Sequence, residues 1–440
     1  MRNVVLALVL AVGVAQANGR PPISNGIFFR PGDAHSLYLR TTFGLLISHD
    51  DGCTFDWVCE QNVGYGGMFD PKYAIATDGT IFATTFTGLR VSHDGGCSFS
   101  NVGPTVWIDA IDIGPTGEVW IGTAESGQPN DVYSSTNNGA EFASKGMQSP
   151  SIWWKSVKVA PSNAQRVYIA GYQVAGPLPD GGQMPPTAHV LRSDNDGTSW
   201  TPSPLTGVMY GSTPVVIVAA VDPQNADEVF LISNGANPPN GDRLYRSTDG
   251  AMTWTEVLAT TDPIRDVVIR DATTVLAATQ TGGSFKSTNA GASFTAMNAP
   301  PQLECLGQRS DGTLIGCGAN WEPDFMSVTK STDGGQSWQK VWRFVEIHGP
   351  LQCPDGTTEH DTCELGYWPN LAMQFGATGP TCGANAGKGT WPPTVDGPPA
   401  GDPPPKKKTS GCCDAGEGAP VGALWAFALV LWLRRGRRGR

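Results

Sequence analysis

The chain has 440 residues, a formal net charge of −11 and only 16% charged residues, with 55 glycines and 35 prolines. A phosphate-binding surface needs clustered lysine and arginine, so this balance argues against nucleic acid as a partner. Many glycines with few charges suit short strands that are joined by many turns. The length allows either several domains or one large β architecture.

The first seventeen residues are predicted to form a signal peptide, so the chain is expected to be exported. Arg2 precedes an apolar run over residues 4–14, and Ala15-Gln16-Ala17 follows as a small-x-small cleavage site. The apolar run is shorter than the roughly 20 residues that span a bilayer comfortably. An uncleaved membrane anchor is the alternative.

Seven octets of the form Ser-x-Asp/Asn-x-Gly-x-Ser/Thr-aromatic recur between residues 48 and 338, and they start 40 to 58 residues apart. A repeat of this length indicates a repeat architecture. The third residue can accept hydrogen bonds from backbone N–H groups, and the fifth supplies a backbone angle that residues with a Cβ tolerate poorly. Ala251 and Glu141 depart from the pattern. The third positions, which we interpret as structural, are Asp50, Asp94, Asn137, Asn195, Asp249, Asn289 and Asp333.

These octets resemble the Asp-box, or BNR repeat, which joins the outer two strands of a propeller blade. Each repeat also contains four short runs bounded by turn residues, which read as strands. The third repeat shows them best, at residues 108–113, 118–123, 131–135 and 141–144. Four strands in each of seven repeats predict an all-β fold, a seven-bladed β-propeller over residues 18–345.

Three segments are predicted to follow the propeller: a Cys-containing appendage (346–390), a Pro/Lys-rich linker (391–411) and a terminal segment (412–440). The terminal segment begins with Cys412 and Cys413, continues with an apolar run and ends in an arginine cluster. This order resembles the C-terminal sorting tag of myxobacterial surface proteins. The resemblance implies processing near Cys412 or Cys413 by a sorting machinery and display on the outer cell surface. A short membrane anchor that is retained is the alternative.

Ten cysteines in an exported chain favour disulfides over metal ligands. Cys305 and Cys317 fall on the first two predicted strands of the seventh blade, where a cross-strand bridge is expected. The nearest local pairs are Cys53 with Cys59 and Cys353 with Cys363. Cys97 and Cys382 then remain as a guessed pair, since spacing alone leaves the connectivity open.

Two glycosidase families carry similar octets, but this chain departs from both. Sialidases carry an Arg-Ile-Pro motif, whereas residues 29–31 here are Phe-Arg-Pro. Xyloglucan-cleaving glycosidases carry a segment like Arg-Thr-Asp-x-Gly-Gly in the first blade, and its Asp is one of two catalytic carboxylates. The matching stretch here has Thr42 at that position. Those enzymes also clamp their substrate between two propellers, while this chain has room for one. Because glycoside hydrolysis needs two carboxyl groups, both departures count against catalysis.

The propeller face opposite the octets is the predicted binding surface. Aromatic rings with flanking carboxylates suit the stacking of sugars or a protein hot spot. Loops that lead into first strands, or that join second and third strands, bring the following residues to this face: Tyr65, Phe69, Asp70, Trp107, Asp109, Glu125, Trp153, Trp154, Tyr172, Arg265, Asp266, Trp321, Glu322 and Asp324.

We therefore predict an exported, non-catalytic propeller that binds an extracellular glycan or protein, with no cofactor and no metal. A glycoside hydrolase is the alternative, with Glu125, Asp109 and Asp324 as the candidate catalytic carboxyls. A structural role at the cell surface is a third interpretation. Trp107 and Trp153 could instead pack between blades, because both come just before inner strands.

Overall fold

The computed structural model describes residues 21–177, 182–281, 283–298, 301–320 and 323–381. The predicted signal peptide, linker and sorting segment therefore lie outside the described residues. The same is true of Trp321, Glu322 and Cys382.

Seven sheets, each with four antiparallel strands of one blade, confirm the prediction of an all-β, seven-bladed propeller. In every blade the four strands pair in chain order, so each blade is one continuous meander. The strands of blades 1 to 4 are Ser24–Phe29, Leu37–Thr41, Gly44–Ser48, Asp56–Val58; Tyr73–Ile75, Ile81–Thr85, Gly88–Ser92, Ser100–Val102; Ile108–Ile113, Val119–Thr123, Val132–Ser135, Ala143–Ser144; and Ile152–Ala160, Asn163–Gln173, Thr187–Ser193, Thr201–Pro202. Those of blades 5 to 7 are Val216–Val221, Val229–Asn237, Gly241–Ser247, Thr255–Ala259; Ile264–Ile269, Val275–Thr279, Phe285–Ser287, Thr295–Ala296; and Cys305–Gln308, Leu314–Cys317, Val328–Ser331, Gln339–Trp342.

The first strand of each blade packs against the first strands of its two neighbours, and blade 1 meets blade 7 in the same way. These strands surround a central cavity of about 1020 Å³. The hydrophobic core is divided into clusters between adjacent blades. Trp120 and Trp154, for example, lie fully buried in one cluster with Val157.

The seven octets lie on the hairpins between third and fourth strands, as predicted. In the last octet, Ser331 Oγ donates to Asp333 Oδ1 at 2.8 Å, and the Gly335 N–H donates to Ser331 Oγ at 2.9 Å. The Ser337 N–H also donates to Asp333 Oδ1 at 2.9 Å. The bond from the first to the third residue recurs in all seven copies. Because strands alternate in direction, the octets share one face, and the loops that join successive blades lie on the other.

The segment after blade 7 folds back onto blade 1. Gly349–Pro350 adds a fifth, parallel strand beside Asp56–Val58. A 3₁₀ turn (Phe344–Glu346), a π-helix (Glu359–Tyr367) and an α-helix (Trp368–Phe375) complete this segment, and a short helix (Glu60–Val63) links blades 1 and 2. Phe344 and Phe375, two aromatic residues of the segment after blade 7, share one core cluster with the strands of blade 1. No helix among the described residues is long and apolar enough to cross a membrane.

Three disulfides join cysteines in the described part of the chain, and only one has the predicted partners. Cys305–Cys317 bridges two paired strands of blade 7, which confirms that prediction. The predicted pairs Cys53–Cys59, Cys353–Cys363 and Cys97–Cys382 are wrong.

Cys59 pairs instead with Cys363, and Cys97 with Cys353. Cys53 is disulfide-bonded as well. The predictions failed because the segment after blade 7 returns to blades 1 and 2, and this long-range contact leaves no trace in local spacing.

Candidate functional site

Five aromatic rings on the face opposite the octets form a continuous chain of contacts, which we call the aromatic strip. It consists of Phe69, Phe86, Trp107, Trp153 and Tyr172. Successive ring centroids lie 4.6, 5.0, 5.6 and 5.9 Å apart. The planes of these pairs are inclined by 46° to 75°, so the strip is corrugated. Such tilted contacts are the arrangement that aromatic pairs favour.

The strip rests on loops and strand ends of three adjacent blades. Phe86 occupies the tight turn between the second and third strands of blade 2, and Trp107 directly precedes the first strand of blade 3. Trp153 and Tyr172 are cross-strand partners in blade 4. The sequence analysis missed Phe86, whose side chain is 48% exposed. An apolar ring in a two-residue turn was the signal that could have revealed it, since such a turn offers little to pack against.

Charged groups beside the strip are largely paired with one another. Glu125 Oε2 accepts a hydrogen bond from the Trp107 N–H at 3.2 Å. Lys155 Nζ lies 5.0 Å from the centre of the Trp107 ring and also pairs with Asp109. Asp109 is buried and takes a second ion pair from Lys72 at 3.2 Å. Within the described chain, the Trp107 indole N–H is buried without an acceptor.

The structure places Trp154 and Asp324 away from the strip. Trp154 is fully buried between blades 3 and 4, because side chains alternate along a strand and its neighbour Trp153 takes the other direction. Asp324 is buried in blade 7, where its Oδ2 accepts the Gln302 N–H at 2.7 Å. Burial raises the pKa of Asp324 to about 6.

The remaining candidates have separate environments. Tyr65 packs against the core between blades 1 and 2. Asp70 accepts a hydrogen bond from Asn25 Nδ2 at 2.7 Å. Arg265 and Asp266 line the central cavity.

Asp266 lies inside the cavity, where its Oδ2 accepts the Leu306 N–H at 2.9 Å. Desolvation raises the pKa of Asp266 to about 6. Arg265 Nε pairs with Glu304 at 3.0 Å, and Glu304 is buried too. Desolvation also raises the pKa of Glu304. Asp266 can therefore hold a proton at mildly acidic pH.

One group of potential metal ligands occurs among the described residues. Cys59, Cys363 and Glu359 bring ligand atoms within 4.8 Å of one another, and all three are buried. The two sulfur atoms are joined in a disulfide, however, and a metal ligand must be a thiolate. This group therefore cannot bind a metal in its oxidised state.

No family model and no curated protein matches this chain. Solved structures do resemble its fold. The GH74 xyloglucanase from Xanthomonas campestris has 16% sequence identity and a TM-score of 0.48, and the match covers 73% of this chain and 60% of that one. YCF48 from Cyanidioschyzon merolae has 14% identity and a TM-score of 0.46, covering 69% and 96%.

The extracellular domain of a hybrid two-component system from B. thetaiotaomicron has 11% identity and a TM-score of 0.48, covering 71% of this chain and 38% of that one. The chain thus spans less than two thirds of the xyloglucanase and of this domain. At such identities the likeness concerns the propeller fold alone.

Proposed function

We propose that this protein is an exported propeller that binds an extracellular glycan or protein on the aromatic strip, without catalysis. The observation that carries the proposal is the unbroken chain of five rings, of which Phe86 is 48% exposed. On this proposal the octets are Asp-boxes with a structural role. The bond from the first to the third residue, which recurs in every octet, is internal to its hairpin, and the octets lie on the opposite face.

The distribution of exposed apolar side chains supports the same face. Large exposed hydrophobic residues are informative when they cluster, since isolated ones are common on any surface. Of the eight large exposed hydrophobic residues in the described chain, Met68, Phe86, Met209 and Tyr210 lie in loops on the strip side of the propeller. Leu365, Tyr367 and Met373 lie in the segment after blade 7, and Met252 lies in an octet. Aromatic residues and Met are enriched in the cores of binding interfaces. A ligand that spans blades 2 to 5 would cover the four on the strip side together.

Export is supported by the disulfides. Bridges such as Cys59–Cys363 and Cys97–Cys353 persist in oxidising compartments and are rare in the cytosol. We propose that the protein reaches the cell surface through its terminal segment, after processing at Cys412 or Cys413. A mass spectrum of cell-surface material should then contain no peptide beyond Cys413, whereas recovery of peptides through residue 433 would favour a retained anchor.

The binding proposal can be tested with a glycan array and with a panel of purified extracellular proteins. Both are probed with the wild-type propeller. Phe86→Ala and Trp153→Ala should each weaken capture roughly thirtyfold, which corresponds to about 2 kcal/mol for an aromatic hot spot. Met252→Ala is the matched control, because Met252 is 38% exposed but lies in an octet on the other face. Capture that survives both strip variants and is lost in Met252→Ala would contradict the proposal.

A glycoside hydrolase is the second candidate. It is favoured by two carboxyl groups, Asp266 and Asp324, whose pKa burial raises to about 6, because a general acid must hold its proton near the working pH. Against it, Thr42 occupies the position of a catalytic Asp, and its hydroxyl is held by the Ile23 N–H at 3.1 Å and the Pro21 carbonyl at 3.0 Å. A polysaccharide digestion screen distinguishes the hydrolase from the binding-only protein. If the wild type cleaves a polysaccharide, and Asp266→Asn or Asp324→Asn abolishes cleavage but retains binding, the binding-only proposal is wrong.

A further inference from the structure

Neighbouring rings of the aromatic strip lie too close together to admit a ligand between them. Their centroids are 4.6 to 5.9 Å apart, and those of Phe69 and Trp107 are 6.1 Å apart. A ring-shaped group held between two aromatic faces needs roughly 7–8 Å, which is twice an ordinary contact distance of roughly 3.5–4.0 Å between carbon atoms. A ligand must therefore lie on top of the strip.

The inclination of the rings disfavours a flat, extended ligand. Neighbouring planes are inclined by 46° to 75°, and the planes of Phe69 and Trp107 by 87°. A linear polysaccharide that stacks on successive aromatic rings needs ring planes that are nearly parallel, so it could stack on one ring of this strip but not on its neighbour as well. The side chains of a peptide rotate independently into staggered positions, so each can meet a differently inclined ring.

Three of the five rings offer only carbon atoms to a ligand. Phe69 and Phe86 have no polar side-chain atom, and the indole N–H of Trp107 is buried without an acceptor among the described residues. Sugars carry several hydroxyl groups, and a polar group that loses water without gaining a partner costs about 1–3 kcal/mol. These three rings therefore match an apolar ligand better than a sugar.

Few charges lie beside the strip. The turn at residues 86–87 and the loops at residues 103–107 and 146–151 contain no charged side chain. Lys155, the cation next to the Trp107 ring, is paired with the buried Asp109. A ligand that covers these loops therefore needs no charge of its own.

The edge of the strip has the composition of a protein interface. Met68 directly precedes Phe69 in the loop between blades 1 and 2 and is 75% exposed. Methionine is flexible and common on surfaces that bind proteins, and the cores of protein interfaces are enriched in aromatic residues and Met. The neighbouring Phe86 adds a ring that is 48% exposed.

We propose that the ligand of the aromatic strip is an extended, uncharged protein segment whose leucine, methionine or proline side chains pack on the rings. This rests on the proposed function, because it names the chemical class of the ligand that the strip binds. Proline-rich segments dock on aromatic-lined grooves in a recurring mode of recognition, since their preformed extended helix loses little entropy on binding. Such a segment would cover the strip without leaving a charge or a hydroxyl group unpaired.

Selection from a phage-displayed library of random dodecapeptides, with the immobilised full chain as bait, tests the proposal. The enriched peptides should be rich in leucine, methionine, proline and aromatic residues and should share no charged position. The Phe86→Ala bait, selected in parallel, should not enrich them.

Fluorescence anisotropy with a labelled synthetic copy of the most enriched peptide then gives dissociation constants. Phe86→Ala should raise the Kd roughly thirtyfold. Met252→Ala is the matched control and should leave the Kd unchanged, because Met252 is exposed in an octet on the other face. The wild-type Kd should change by less than about twofold between about 50 and about 500 mM NaCl, since salt screens only interactions between charges.

Melting temperatures of the variants separate folding from binding. Should Phe86→Ala fail to fold, Met68→Asp carries the test, because Met68 is 75% exposed and a carboxylate placed there opposes the burial of an apolar ligand. This variant should also weaken binding of the peptide.

The outcomes distinguish the ligand class from the binding function itself. A shared charged position, or no enrichment over the Phe86→Ala bait, would overturn the protein-segment proposal. If a glycan binds the wild type and Phe86→Ala abolishes that binding while no peptide is enriched, the protein-segment proposal is wrong and the proposed binding function stands. Peptides that bind the wild type and Phe86→Ala equally well would contradict both, because their site would lie away from the strip.

Discussion

At the scale of single residues, the fifth position of the octets shows why glycine recurs there. Gly291 has a φ of +79°, and a Cβ at this position would lie 2.3 Å from Cζ of the buried Phe230. Ala251 occupies the same position in blade 5 with a φ of +68°, and its N–H still donates to Ser247 Oγ at 2.9 Å. The turn therefore tolerates a Cβ only where the neighbouring blade leaves room for it.

Gly291→Ala should lower the free energy of unfolding by about 3 kcal/mol, as measured in urea. Left-handed backbone costs a residue with a Cβ about 1–2 kcal/mol, and overpacking against Phe230 adds a similar amount. Gly117→Ala is the control, because Gly117 has a φ of +89° but no atom within 4 Å of a built Cβ. Equal losses in the two variants would show that the contact with Phe230 contributes nothing.

At the scale of elements, a buried carboxyl group joins the π-helix Glu359–Tyr367 to the short helix Glu60–Val63. Glu359 Oε2 accepts the Cys59 N–H at 3.2 Å and Asn62 Nδ2 at 2.9 Å. Its Oε1 is buried without a partner among the described residues. Burial raises the pKa of Glu359 to about 7, well above the ordinary value of 4.5. Burial therefore favours the protonated side chain, although the two donated hydrogen bonds oppose it.

Glu359→Gln should flatten the pH dependence of stability. The raised folded pKa means that the folded state binds the proton more tightly than the unfolded state. The wild type should thus lose stability as the pH rises from about 4.5 to about 7, by up to about 3 kcal/mol from this group. Urea denaturation across that range measures the change. Glu364→Gln is the control, because it removes a partly exposed charge from the same helix. If it flattens the pH dependence of stability as much as Glu359→Gln does, Glu359 is not the cause of that dependence.

At the scale of the whole molecule, the ring is closed without a shared strand. Among the described residues, the strands of the first repeat form blade 1 and those of the last form blade 7, although Gly349–Pro350 from the segment after blade 7 joins the sheet of blade 1. Arg309 of blade 7 reaches across to Asp51 in the first octet at 2.5 Å. The segment after blade 7 then returns to blades 1 and 2 through Cys59–Cys363 and Cys97–Cys353. Bridges between residues far apart in the chain therefore add to the packing of blade 1 against blade 7.

Removing a long-range bridge should cost more stability than removing a local one. Cys59 and Cys363 are 304 residues apart, but the remaining Cys97–Cys353 bridge shortens the loop that opens in Cys59→Ala with Cys363→Ala to about 50 residues. Cys305→Ala with Cys317→Ala opens a loop with a sequence separation of 12. Loop-closure entropy predicts losses of about 4 and about 3 kcal/mol in the free energy of unfolding. Urea denaturation of both double variants checks the order. A larger loss in the blade 7 variant would mean that local strand pairing outweighs ring closure.

The sequence by itself determined the repeat count, the four-stranded meander and the position of every octet. These features depend on residues within a few positions of one another: the Ser-to-Asp hydrogen bond, the left-handed fifth residue and the alternation of strands. Repeat phase also predicted Arg265 and Asp266 on the binding face, whereas in the structure both line the central cavity.

Only the tertiary structure decided which side chains meet. Trp153 joins the aromatic strip while the adjacent Trp154 is buried, since the pleat sends neighbouring side chains to opposite sides. The partners of Cys59 and Cys97 lie more than 250 residues away, and the spacing of cysteines carries no information about such contacts. The central cavity also became visible only once the first strands of the blades closed into a ring.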